Sequence, residues 1–179
     1  MKTNTLISIE SIKENTQLFN NIESTKIRPS ILLAQDTELQ DILGSSLYNF
    51  IYNKRSVNGE WTGLTSTQQT FVDDYITPAL MYYAVAEFVR SSWAEINNIG
   101  VVQNGTEQSK PLSAKDHDKY VAYFVDKANF YVARMRKWFC DQTDRSDEIF
   151  SLYEQSTQNK QPNINTPNDF GIFFPTSHS

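Results

Sequence analysis

Cysteine and histidine are nearly missing from this chain: Cys140 is the only thiol, and His117 and His178 are the only imidazoles. A single thiol excludes an internal disulfide and any zinc site built on several thiolates at set spacing. Charge is sparse too, at 21% of residues, and it has the wrong sign for gripping nucleic acid. There are 16 Lys and Arg against 21 Asp and Glu, a net charge of −5, whereas phosphate-backbone binding draws on clustered cations. No run approaches the roughly 18 consecutive apolar residues of a membrane span. The start, Met1-Lys2-Thr3-Asn4-Thr5, lacks the basic-then-apolar shape of a secretory leader, so maturation in a cytoplasm is expected. The GxxxxGKS/T, GxGxxG, HExxH and GxSxG patterns are also missing, and with them the usual phosphate cradles and hydrolase sites.

The chain does have enough apolar material for a core. Its 179 residues are 39% apolar and 13% aromatic, with plentiful Asn, Gln, Ser and Thr, which fits one soluble globular domain. The apolar spacing predicts an all-α fold: a small bundle of two long and several short helices, with one β-hairpin or projecting loop. Residues 1–156 form the helical domain and residues 157–179 an extended C-terminal arm.

In the first third, short helical patterns alternate with breakers. Ser8 caps a brief helix carrying Ile9 and Ile12. Pro29 suits the first turn of a second helix, because a proline there gives up no needed donor and pushes Arg28 to an extended conformation. That helix runs to about Asp36, Thr37 recaps the chain for Glu38 to Leu43, and Gly44 supplies a left-handed stop before a helix bearing Leu47, Phe50 and Ile51.

Thr65 and Gln68 then have capping-box spacing, and a long central helix follows from Ser66 to about Glu95, kinked near Pro78. It is apolar on two faces, Val72, Ile76, Ala79, Tyr83 and Ala86 on one and Phe71, Tyr75, Tyr82, Val85 and Val89 on the other. Both faces call for cover from neighbouring helices or another subunit. Helical period is lost from Asn97 to Leu112. There Ile99, Val101 and Val102 precede Asn104-Gly105, a favourable hairpin turn, with Thr106 to Lys110 as the return strand. Ser113 and Asp116 cap a second long helix to about Gln142, with Val121, Phe124, Val125, Ala128, Tyr131, Val132, Met135, Trp138 and Phe139 on its apolar stripe. A short helix holding Ile149, Phe150, Leu152 and Tyr153 follows. In the arm, Pro162, Pro167 and Pro175 forbid a continuous helix, while Ile164, Phe170, Ile172, Phe173 and Phe174 stand as apolar anchors for a partner.

Catalytic chemistry is hard to assemble from these residues, and neither a catalytic, cofactor-binding nor metal site is expected. His117, between Asp116 and Asp118 in a helix's first turn, reads as an exposed cap-region histidine. Cys140 reads as a packed or half-exposed thiol. Asp73 and Asp74 lie about 100° apart on a helix and form a solvated pair rather than a metal site. Arg134, Arg136 and Lys137 with Trp138 read as a solvated helix end. A rival reading, a small-molecule-binding or enzymatic domain, rests on Tyr82, Tyr83, Tyr120 and Tyr123 lining one pocket; a further one is a regulatory or scaffolding helical protein.

The run Arg28-Pro29-Ser30-Ile31, then Ala34-Gln35, Leu39, Leu43-Gly44 and Leu47-Tyr48, is followed by Tyr75-Ile76, Pro78-Ala79-Leu80 and Tyr83-Ala84, and by Asn98-Ile99-Gly100-Val101-Val102 before a tyrosine-rich helix. Over residues 6 to 155 this order resembles the small head-tail connector (adaptor) proteins of tailed bacteriophages, nearest to those of crAss-like and other Bacteroidetes phages. The resemblance implies a structural virion protein assembled in the bacterial host cytoplasm, usually as a twelvefold ring beneath the portal at the head-tail junction. It implies as partners other copies of the chain, the portal protein and a tail or second ring protein, without a membrane. DNA would pass through the lumen during genome ejection without specific binding, which suits an acidic chain. Val101, Val102, Asn104 and Gly105 would then form an inter-subunit loop, and the C-terminal arm would meet the portal or a neighbouring subunit.

Overall fold

A computed structural model describes residues 3–16, 24–92, 94–97, 100–103 and 113–158. These residues are mostly helical. Helix α1 spans Ile9–Asn15, α2 Ser24–Ala34, α3 Gln40–Asn53, α4 Ser66–Phe71, α5 Thr77–Ser92, α6 Ala114–Asp141 and α7 Glu148–Gln158. Helix α5 is the axis, packed against α2 and against α6, while α7 lies on α3. The two apolar faces expected of the central helix are therefore covered within one protomer.

Local signals act where they were expected to. The Ser8 hydroxyl accepts the Ser11 N–H at 3.0 Å to start α1. The Thr65 hydroxyl accepts the Gln68 N–H at 3.1 Å while the Gln68 side chain returns to the Thr65 N–H, a complete capping box. The Ser113 hydroxyl accepts the Asp116 N–H at 3.2 Å and opens the 28 residues of α6. Gly44, at φ +74° and ψ +157°, breaks α3 internally, in a region of backbone space that is essentially glycine's alone.

Two expectations fail and a third takes another form. The second helix begins at Ser24, not Pro29, so the proline lies inside it and the Thr25 carbonyl loses its intrahelical donor. Ile27, Ser30, Ile31 and Ala34 are all buried, and this i, i+3, i+4, i+7 set packed in the core outweighs the local cost of one missing bond. Thr37 caps nothing: its hydroxyl donates back to the Leu33 carbonyl at 2.9 Å, and α2 runs into α3 through a π turn at Gln35–Leu39. A second π turn, Val72–Ile76, joins α4 to α5, with the Thr77 N–H reaching the Val72 carbonyl five residues back. It sits just before Pro78, which has no N–H to donate, so the expected disturbance is a widened turn within an unbroken run of helix.

The expected hairpin at Asn104-Gly105 is not supported. Strand β1, Ala94–Asn97, pairs antiparallel with β2, Gly100–Gln103, in the register Asn97↔Gly100, so Val101 and Val102 belong to the second strand of an earlier pair. Helix α5 ends at Ser92, sooner than the helix-forming Ala94 and Glu95 suggest, and this frees them for the sheet. Asn104, Gly105 and the proposed return strand lie outside the described residues.

The core joins Leu6, Ile12, Ile31, Leu43, Leu47, Tyr48, Phe71, Leu80, Val85, Ala128 and Ile149, among others. An aromatic cluster ties three helices at one end. Phe71 of α4 stacks on Trp138 of α6 at 5.7 Å, and Phe139 of α6 stacks on Tyr153 of α7 at 4.0 Å; such pairs add to simple area burial. The N-terminal segment is held by a fully buried amide. Gln35 accepts the Leu6 N–H at 3.0 Å and donates to the Asn4 carbonyl at 2.9 Å.

Candidate interaction surface

Helix α6 has two apolar faces of different kinds. Its inner face buries Val121, Phe124, Ala128, Val132, Met135 and Phe139 against the core. Its outer face carries Tyr120, Tyr123 and Phe130, which are 49%, 54% and 57% exposed, three of the five exposed large hydrophobic residues among those described. With exposed Lys127 and Arg134 they occupy positions 120, 123, 127, 130 and 134. The steps of three, four, three and four residues are the spacing of a helix-pairing seam.

The cations lie on the rings. The Lys127 ammonium is 5.5 Å from the Tyr123 ring centroid, and the Arg134 guanidinium is 5.9 Å from Phe130, 5.7 Å from Tyr131 and 5.8 Å from Tyr75. A recess of about 300 Å³ opens beside Lys119, Tyr120 and Tyr123. The whole helix sets Lys115, Lys119, Lys127, Arg134, Arg136 and Lys137 against Asp116, Asp118, Asp126 and Asp141, a positive balance in a chain of net charge −5.

The four tyrosines of the rival pocket are divided between different surroundings. Tyr83 is buried and its hydroxyl donates to the Asn129 carboxamide at 2.7 Å. Tyr82 stacks on Tyr131 at 5.9 Å. Burial raises the pKa of both, whereas Tyr120 and Tyr123 face outward. His117 corrects its reading as an exposed cap residue: it is 8% exposed, with Nε2 3.1 Å from the Val89 carbonyl oxygen and Nδ1 3.5 Å from the Asp118 carboxylate. Its place, four residues before Val121 on the buried stripe, is the signal that could have found this. Cys140 is exposed. Trp138 belongs to the aromatic cluster and not to a solvated basic end.

Among the described residues, no group of three or more His, Cys, Asp or Glu is placed to hold a metal ion, and no helix is long and apolar enough to cross a membrane. Ile164, Phe170, Ile172, Phe173 and Phe174, the proposed partner anchors, lie outside the described residues. The seam itself escaped the sequence reading because its tyrosines also fit a core role; Phe130, ten residues after Tyr120, carried the missing signal.

The chain belongs to DUF6712, a family of unknown function whose model matches residues 39–163. That span runs from the end of the first π turn through α7. No curated protein and no solved structure matches the chain.

Proposed function

We propose that this protein is a structural component of the virion of a tailed bacteriophage, a head-tail connector whose copies close into a ring, usually twelvefold, between the portal vertex and the tail. The observation that carries the reading is the outer seam of α6. A row of half-exposed aromatic rings at helix-pairing spacing, on a protomer whose central helix is already covered on both sides, is a surface built for contact with another chain. The positive balance of α6 against an acidic remainder favours a heterologous contact, in which one copy's seam meets a different, acidic face of the next. The net negative charge suits a conduit through which DNA slides without adhering. The segment holding Ile164, Phe170, Ile172, Phe173 and Phe174 is assigned to the portal, and β2 with Val101 and Val102 to the neighbouring subunit.

The test is assembly. Purified protein, alone and mixed with the portal protein of the same phage, should form rings visible by negative-stain microscopy and sedimentation. Replacing Tyr120, Tyr123 and Phe130 together by Ser should leave a helical protomer that no longer assembles. A protein that stays monomeric with and without the portal would refute the proposal.

A further inference from the structure

At another place in the fold, the N-terminal segment, α2 and the loop after α3 enclose an open cavity of about 300 Å³ whose walls include Thr3, Asn4, Arg28, Arg55, Ser56 and Gly59. Arg55 is partly buried there. Its guanidinium lies 4.7 Å from the Trp61 ring centroid and its Nε donates to the Thr5 carbonyl at 3.3 Å, while burial lowers its pKa. Arg28 of α2 reaches the same cavity, with Nη2 donating to the Thr3 carbonyl at 2.7 Å. A guanidinium has five N–H donors, so these bonds leave most of each fork unspent. Among the described residues neither arginine forms an ion pair, and Glu10 is the only carboxylate lining the cavity. The Ser56 hydroxyl oxygen accepts the Glu60 N–H at 3.0 Å, which leaves its own proton available.

We propose that this cavity binds an oxyanion group, held by the guanidinium forks of Arg28 and Arg55 and by the Ser56 hydroxyl. Arg55, half-buried and in no ion pair among the described residues, is a costly cation, and an anion seated in its fork and in that of the exposed Arg28 relieves that cost with charge-assisted bonds. Phosphate and carboxylate share the geometry that the forks recognise. Glu10 on the same wall repels either one, so its neutralisation strengthens binding. The site is independent of the α6 seam and of the ring.

The experiment is a pair of NMR titrations of the full chain at low ionic strength, one with inorganic phosphate and one with acetate. They follow the arginine Nε–H signals and the backbone amides of residues 56–59. Saturable shifts with phosphate alone assign the group to a phosphate, and equal shifts with acetate extend it to carboxylates; both outcomes support the site. Arg55→Gln and Arg28→Gln should each weaken binding about tenfold or more, a loss that corresponds to one charge-assisted contact. Glu10→Gln should tighten it, and Arg134→Gln on α6 should leave it unchanged. Should Arg55→Gln fail to fold, Arg55→Lys keeps the charge and the stem, loses the fork, and must still weaken binding. No saturable response to either anion, or wild-type affinity in a folded Arg55 variant, overturns the proposal.

Discussion

Gly44 has two reasons to be glycine, and they add. Its φ of +74° with ψ near +157° strains any L side chain, and a Cβ built there would collide with the Cβ of Ser156 on α7. Gly44→Ala should therefore cost about 2 to 4 kcal/mol, from backbone strain and overpacking together, read as a lower denaturation midpoint with helix content retained. Tyr83 is the opposite case, a large ring where bulk is required. Tyr83→Ala should cost about 3 to 5 kcal/mol. Tyr83→Phe, which removes only the bond to Asn129, should cost about 1 kcal/mol. Equal losses from the two variants would show that the hydroxyl, not the ring, holds α5 to α6.

At the scale of elements, one carboxylate joins two helix starts. Asp147 accepts the Ile149 N–H at 3.2 Å as α7 begins, and it also receives the Thr65 hydroxyl at 2.6 Å and the Gln68 amide at 2.9 Å from the start of α4. Burial pushes the Asp147 pKa up, but these hydrogen bonds and the charge of Lys54 outweigh it, and the result is below the usual carboxylate range. A depressed folded-state pKa stabilises the protein above the unfolded value of about 3.9 and loses that contribution as pH falls through the folded value. Asp147→Asn should thus melt earlier than the parent at neutral pH, and the gap should narrow as pH falls below the unfolded value of about 3.9. The half of this arrangement made by Thr65 and Gln68 was legible because a capping box spans four neighbouring residues. The other half was not, because the sequence carries no mark that brings residue 147 to residue 65. The π turns were hidden for the same reason. Gln35 and Val72 have no composition that asks for a wide turn, and only the packing before and after them does.

For the whole molecule, the sequence announced an all-α bundle, since both long helices have strong period and strong caps. It also marked the stripe of α6 that holds Val121 and Phe124, which faces inward. The outer row was not legible: Tyr120, Tyr123 and Phe130 stand exposed, and rings at that spacing fit a core equally well until the neighbouring helices are in place. Charge offers a check at this scale. If the α6 seam meets an acidic face of the next copy, Lys127→Glu should weaken assembly more than Lys13→Glu on α1, and both effects should shrink as salt rises. Sedimentation across a salt series reads this directly, and equal effects of the two reversals would argue against a charged contact at the seam.

The family match begins at Leu39, yet α2 lies before it and packs on α5, with Ile27, Ile31 and Ala34 buried. The matched span is therefore smaller than the set of helices that buries α5. A fragment of residues 39–163 would start at the end of a π turn and leave the side of α5 that α2 covers as bare apolar surface, the kind that drives chains together indiscriminately. Such a fragment should scatter light and collect in the insoluble fraction, while residues 3–163 should stay dispersed.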